Sequence, residues 1–123
     1  MLHENIEPTF REGLTDNWYY IPPHTRLSLV NYFMHGLHPG GFIEAVLTND
    51  LHRCVAIADH ANIEALQIIV QWIQSHAPLD SWGTREKIEA WCDELSEDRK
   101  EFVRRVEEKE IWKALKNENT STI

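Results

Sequence analysis

The stretch IPPHTR (residues 21–26), with PGGF (39–42), NDL (49–51) and WGTREK (82–87) downstream of it, decides the fold. Helices begin at a proline in the first turn or after an Asn, Asp or Thr N-cap, and they end at a glycine that follows the last turn. Between these motifs, apolar residues recur every three or four positions, which is typical of amphipathic helices. We therefore predict an all-α protein, a compact bundle of about five helices with a longer charged C-terminal helix.

The composition is that of one globular domain. The chain has 123 residues, of which 42% are hydrophobic and 26% charged, and this length suits a single domain. The formal net charge of −8 argues against direct binding to nucleic acid or to an anionic membrane, since both use clustered Lys and Arg. The acidic surface either serves solubility alone or faces a basic partner, including a nucleic-acid-binding protein whose ligand it imitates.

Four segments are predicted along the chain. Residues 1–21 form an N-terminal arm whose aromatic residues dock on the domain, and residues 22–92 form the helical core domain. Residues 93–117 form a charged amphipathic helix packed on the core or on a second subunit, and residues 118–123 form a frayed tail. The first core helix is expected to begin at Pro22-Pro23 and to end at His35, with Gly36 as its C-cap.

Apolar spacing predicts the buried face of each core helix. The stripe of the first helix comprises Leu27, Val30, Phe33 and Met34. The helix that follows Asp50 has an apolar face at i, i+3, i+4 and i+7, formed by Leu51, Cys54, Val55 and Ala58. The helix from Ile63 to His76 is apolar around most of its circumference, so we expect it to be central. Asp50, Asp59 and Thr84 are the predicted N-caps.

The composition changes after residue 92. Residues 93–118 hold nine acidic and seven basic residues, and several opposite charges stand at i, i+4, which favours a helix. The apolar side chains of this segment do not share one face, because Ile111, Trp112 and Leu115 point away from the side that carries Phe102 and Val106. These three residues are therefore the candidates for self-association, and the C-terminal helix is the candidate homodimer surface.

Seven histidines invite a metal-site interpretation. Only His35 and His38 have the spacing that places two ligands on one helical face, and Gly36 interrupts that turn. Cys54 lies on an apolar helical face, which is typical of an inert thiol, and Cys54 and Cys92 lack C-x-x-C spacing. We predict no catalytic residue, no metal site and no cofactor.

The N-terminal sequence has neither the basic region nor the apolar run of a signal peptide. No apolar run approaches the ~18 residues that cross a bilayer. We therefore expect a cytoplasmic protein that does not contact a membrane.

The turn Pro39-Gly40-Gly41 precedes a predicted helix, where backbone N–H groups can bind an anion. No Lys or Arg is close to this turn in sequence, and the acidic residue Glu44 follows it. We therefore favour a plain turn.

Four residues are the candidates for an interface or ligand site, namely His24, Arg26, Trp82 and Arg85. Tryptophan and arginine supply many binding hot spots, and arginine binds carboxylate or phosphate groups through two parallel hydrogen bonds. Trp82 lies in a loop, where it either closes the core or anchors a partner.

The motifs IPPHxR (21–26), GGFxxAVLxNDL (40–51), AP (77–78) and WGxxEKxxAW (82–91) resemble those of a family of small proteins encoded by tailed bacteriophages and prophages. The resemblance covers about 70 of the 123 residues and stops near residue 92. It implies an accessory protein in the cytoplasm of an infected bacterium, and small accessory phage proteins often bind and disable a host or defence protein. It carries over no catalytic residue and no cofactor to this chain.

Three hypotheses for function follow. The first is a non-enzymatic phage accessory protein that binds a bacterial host or defence protein. The second is a small-ligand protein, such as a sponge for a nucleotide signal, in which arginine binds phosphate and Trp82 stacks on a base. The third is a metal-dependent hydrolase that uses the histidines.

Overall fold

The computed structural model describes residues 18–108, and this part of the chain contains helices and no strands. The predicted all-α class is confirmed. The helices are α1 Pro23–His35, α2 Gly41–Leu47, α3 Leu51–Ile57, α4 His60–Glu64, α5 Leu66–His76, α6 Arg85–Cys92 and α7 Glu97–Glu107. Short 3₁₀ turns lie at Trp18–Tyr20 and Leu79–Ser81.

The described part has seven helices, one more than the five core helices and the C-terminal helix that the sequence predicts, because a short additional helix precedes the predicted central helix. Ala65 leaves helical geometry at φ −96° and ψ 4°, which divides the predicted central helix into α4 and α5. The charged segment begins its helix at Glu97, after an extended Asp93 whose carboxylate accepts a hydrogen bond from Leu95 N–H at 2.8 Å. Its predicted extension to residue 117 lies outside the described residues.

The predicted caps explain where most helices begin and end. Pro23 opens α1, and Gly36 closes it in the left-handed conformation at φ 68°. The side chains of Asp50, Asp59 and Thr84 accept hydrogen bonds from the backbone N–H three residues ahead, which satisfies free donors of α3, α4 and α6.

The core is built on aromatic rings from four helices. On α1, the Tyr32 and Phe33 rings lie 5.1 Å apart. Phe33 contacts Trp72 of α5 at 6.0 Å and Phe102 of α7 at 6.4 Å, while Tyr32 contacts Trp91 of α6 at 6.3 Å. Such ring pairs contribute about 0.5–1.5 kcal/mol beyond the area they bury. α1 therefore joins α5, α6 and α7 through two adjacent residues.

Buried hydrogen bonds fix the same elements. The Tyr32 hydroxyl donates to the Ser81 carbonyl at 2.7 Å, and Trp91 Nε1–H donates to the Tyr32 carbonyl at 3.1 Å. Arg99 of α7 donates to the Trp91 carbonyl and lies directly against Gly36, where a Cβ would come within 2.6 Å of Arg99 Cζ. Gly36 is thus favoured by its positive φ, and the end of the flexible Arg99 side chain fills the space beside it.

Two of the predicted apolar faces need correction. On α1, Leu27 is only half-buried, whereas Leu29 is fully buried. On α3, Cys54 is buried as expected, but Leu51 and Val55 are 62% and 55% exposed. The periodicity of α3 is amphipathic, yet this helix of seven residues packs mainly on α2, so most of its apolar face is left in solvent.

The burial of His76 predicts a stability that depends on pH. Burial lowers the pKa of His76 from 6.5 to about 4, so below pH 6.5 the unfolded chain binds a proton that the folded chain does not. The wild type should therefore lose about 1.4 kcal/mol of unfolding free energy per pH unit between pH 6.5 and about 4 because of this residue. Urea unfolding of the wild type and of His76→Gln measures it. Parallel pH profiles of the two proteins would contradict it.

Candidate functional site

The candidate site lies where α2 and α3 meet the loop that precedes α6. α2 and α3 form a helical hairpin, and Asn49 makes its tight turn in the left-handed conformation at φ 61°. The Gly83 N–H donates to the Leu47 carbonyl at 2.7 Å, which holds the loop against the end of α2. The site has three parts, namely an ion-pair cluster, a groove and an exposed helix face.

The ion-pair cluster is centred on Glu44 of α2, whose side chain is only 7% exposed. Glu44 Oε1 accepts a hydrogen bond from Arg53 Nη1 at 3.0 Å, and Glu44 Oε2 lies 3.3 Å from His38 Nε2 and 3.6 Å from Arg85 Nη1. The hydrogen bond from Arg53, with the charges of Arg85 and His38, holds the pKa of Glu44 below its ordinary value despite burial. The carboxylate is therefore ionised and compensated in the folded state. We call Glu44 with His38, Arg53 and Arg85 the Glu44 cluster.

The groove lies between α3, α5 and the loop before α6 and has a volume of about 310 Å³. Its apolar lining comes from Val46, Leu51, Cys54, Leu66, Val70, Ile73 and Trp82. Asn49, Asp50 and Gln74 add polar groups to the lining. Burial raises the pKa of the Cys54 thiol, so the thiol stays protonated near neutral pH and behaves as an apolar lining group.

The exposed face of α3 adjoins the groove. Leu51, which also lines the groove, and Val55 are more than half exposed, and Ile57 is 46% exposed. Leu51 and Val55 are one turn apart on the same side of α3, whereas Ile57 points to another side of the helix. We call Leu51 and Val55 the α3 surface. Isolated exposed apolar residues are common, but an exposed pair beside an apolar groove is of the kind that binds other molecules.

Among the four predicted site residues, His24 and Arg26 lie at the start of α1 with contacts of their own. His24 Nε2 is 3.0 Å from Asp59 Oδ2, and this contact joins α1 to the cap of α4. Arg26 donates to the Tyr19 carbonyl at 3.3 Å, and its guanidinium lies 5.1 Å from the centre of the Tyr19 ring. These two residues are thus tied to Asp59 and to the N-terminal aromatic segment.

The other two predicted residues belong to the site described above. Trp82 is half-buried and lines the groove, while Arg85 contacts Glu44. The small-ligand hypothesis would need all four residues in one pocket, but their contacts separate them into two pairs: one pair lies at the start of α1, and the other lies beside α2 and α3. The self-association candidates Ile111, Trp112 and Leu115 lie outside the described residues.

Sequence reasoning missed three members of the Glu44 cluster. In the sequence, Glu44 argues against an anion site at the glycine turn, and no Lys or Arg is close to that turn. In the fold, however, Arg53 arrives from α3 and Arg85 from α6. The one available signal was an acidic residue among the apolar positions of α2, which requires a basic partner when it is buried.

Two searches of residues 18–108 bear on other functions. In this part of the chain, no three histidine, cysteine, aspartate or glutamate residues come together as potential metal ligands. None of its helices has the length and apolar character that crossing a membrane requires.

Comparison with known proteins identifies no relative of this chain: no family model, no curated protein and no solved structure matches it. The resemblance of residues 21–92 to small phage proteins therefore stays a prediction from the motifs.

Arg53 should stabilise the fold, because its positive charge compensates the buried carboxylate of Glu44. Arg53→Met should lower the free energy of unfolding by about 2 kcal/mol at neutral pH, because a buried carboxylate loses its closest partner. The loss should shrink as the pH falls through the ordinary glutamate pKa, since a protonated Glu44 no longer needs the guanidinium. Urea unfolding at neutral and acidic pH measures both effects.

Arg104→Met is the matched control, because Arg104 pairs only with the exposed Glu101 and Glu108 within the described residues. This control should change stability much less than Arg53→Met does. A loss in Arg53→Met that is equal at both pH values would contradict the role assigned to Arg53.

Proposed function

We propose that this chain is a non-enzymatic binding protein whose protein partner docks on the α3 surface and the groove beside it. The observation that carries this proposal is the exposure of Leu51 and Val55 next to an aliphatic groove. Burying such side chains on association is favourable in proportion to the apolar area removed from water. A contiguous apolar patch with polar groups around it has the composition of a protein interface.

The dimensions of the groove support docking by one apolar side chain of the partner. Interfaces concentrate their binding energy in a few aromatic or aliphatic anchors that fill pockets. A groove of about 310 Å³ that is open to solvent has room for such an anchor. Trp82 forms part of its wall, which is consistent with the interpretation of this residue as an interface residue.

The biological setting that we propose comes from the sequence. The motifs of residues 21–92 resemble those of small phage proteins, and such accessory proteins often bind bacterial proteins. We therefore propose a phage-encoded protein that binds and modulates a host or defence protein in the cytoplasm of the infected bacterium. The surplus of acidic residues over the whole chain is consistent with a protein that does not bind nucleic acid directly.

Binding of a small molecule is the second candidate, and the volume of the groove favours it. Small-molecule pockets begin at about 300 Å³. The chemistry of the lining favours a protein partner instead. Its aliphatic side chains suit an apolar anchor, and the carboxylate of Asp50 disfavours the phosphate of a nucleotide signal. Trp82 is the one residue of the four predicted candidates that lines this groove.

Affinity capture from a bacterial lysate, quantified by mass spectrometry, tests the proposal. The wild type should retain a specific bacterial protein, and Leu51→Ser/Val55→Ser should retain at least about tenfold less of it, since hot-spot substitutions cost more than 1.4 kcal/mol. Leu95→Ser is the matched control, because Leu95 is 72% exposed in the loop between α6 and α7. Equal retention of every captured protein by wild type, double variant and control would refute the proposal.

A further inference from the structure

Within residues 18–108, the groove has one charged lining residue, Asp50. Asn49 and Gln74 add neutral polar groups to the lining, and the other lining residues are apolar side chains and a glycine. Asp50 Oδ1 accepts the hydrogen bond from Arg53 N–H, at 3.2 Å, that caps α3. Its Oδ2 atom accepts no hydrogen bond and forms no ion pair in the described part of the chain. The exposed Asp50 carboxylate therefore keeps one oxygen for an occupant of the groove.

The guanidinium of Arg53 pairs with Glu44 and not with Asp50. Arg53 follows the lining residue Leu51 by two positions, and side chains at this spacing point to different sides of a helix. Arg53 Nη1 lies 3.0 Å from Glu44 Oε1, and its Nη2 lies 3.5 Å from the position of a Cβ on Gly41 at the start of α2. The positive charge of Arg53 is thus held on another side of the α2–α3 hairpin.

Lys87 lies beside Gly83, a residue that lines the groove. Lys87 Nζ is 3.7 Å from the position of a Cβ on Gly83, and it donates a hydrogen bond to the Leu79 carbonyl at 3.1 Å. Lys87 does not line the groove and makes no ion pair with Asp50. Among the residues that the structure describes, the groove therefore presents a carboxylate to an occupant, and neither an ammonium nor a guanidinium group.

We propose that Asp50 selects a partner segment that carries a lysine or an arginine beside its apolar anchor. This inference rests on the proposed function, because it assumes that the anchor occupies the groove. Leu51, the residue after Asp50, is 62% exposed and lines the groove. The methylene stem of a basic side chain covers Leu51 in this arrangement, while its charged end pairs with the free oxygen of Asp50.

The charge of the whole chain acts in the same direction as Asp50. A formal net charge of −8 attracts a basic partner over a longer range than the ion pair does. An acidic segment would meet a like charge at Asp50, which disfavours its binding. The surface of the partner is thus basic and apolar.

Nuclear magnetic resonance titration of the full isotope-labelled chain tests the inference with two defined peptides. One is a capped peptide of two leucines flanked by lysines, and the other is its twin with glutamines in place of the lysines. At about 0.15 M salt, charges more than about 8 Å apart are largely screened, so a preference reports charges close to the peptide. The lysine peptide should bind about threefold more tightly than its twin, the effect of one exposed ion pair. The resonances of Leu51 and Val70 should shift with both peptides, because both carry the apolar anchor.

Two variants change the charge of the groove without changing the core. Asp50→Asn should abolish the preference for the lysine peptide while α3 stays capped, since asparagine is as good an N-cap as aspartate. Gln74→Glu adds a second carboxylate to the lining and should raise the preference about threefold further. Asp98→Asn is the matched control, because it removes the same charge from an exposed residue in the first turn of α7. Amide spectra of each variant report whether its fold is intact.

Each outcome of the titration decides the inference. A preference for the lysine peptide that is lost in Asp50→Asn and kept in Asp98→Asn supports it. Equal binding of the two peptides at Leu51 and Val70, or a preference that survives in Asp50→Asn or does not rise in Gln74→Glu, overturns the selection by Asp50 and leaves the docking surface standing. Shifts confined to residues outside the groove, or no shift at millimolar peptide, overturn the inference as well, whereas the proposed function is decided separately by the capture experiment.

Discussion

The contact of Tyr32 and Phe33 with three aromatic rings is the constraint on which the rest of the fold depends. These adjacent residues of α1 meet Trp72, Trp91 and Phe102, which belong to α5, α6 and α7. Helices of 8 to 13 residues are only marginally stable in isolation, so their stability comes from packing against one another. With three helices held on α1 by large rings, the core is closed without any contribution from the face of α3.

The site is a consequence of this arrangement. α2 and α3 form a short hairpin that reaches the core through residues such as Ile43 and Leu47, and α3 itself buries only Cys54. Leu51 and Val55 of α3 stay in solvent, and Leu51 also lines the groove. Arg53 and Arg85 contact the buried Glu44, because a buried carboxylate needs compensating charge. One hairpin therefore carries both the apolar and the charged part of the surface.

The ends of the helices could be predicted from the sequence, whereas contacts between residues distant in sequence could not. Pro23, Gly36 and Thr84 mark helix ends correctly because capping acts within one turn. The period of α3 predicted its apolar face but not what that face meets, so Leu51 was wrongly expected in the core. Arg85 pairs with Glu44 of α2 only in the tertiary structure, so the spacing of residues along the chain does not predict this contact.

The aromatic core stabilises the molecule, and the α3 surface does not. Urea unfolding of Phe33→Leu and of Leu51→Ser/Val55→Ser, each against the wild type, tests this difference. Phe33→Leu should lower the free energy of unfolding by at least about 1 kcal/mol, and the double variant should stay within about 0.5 kcal/mol of the wild type. A loss in the double variant as large as that in Phe33→Leu would show instead that Leu51 and Val55 contribute to the stability of the fold.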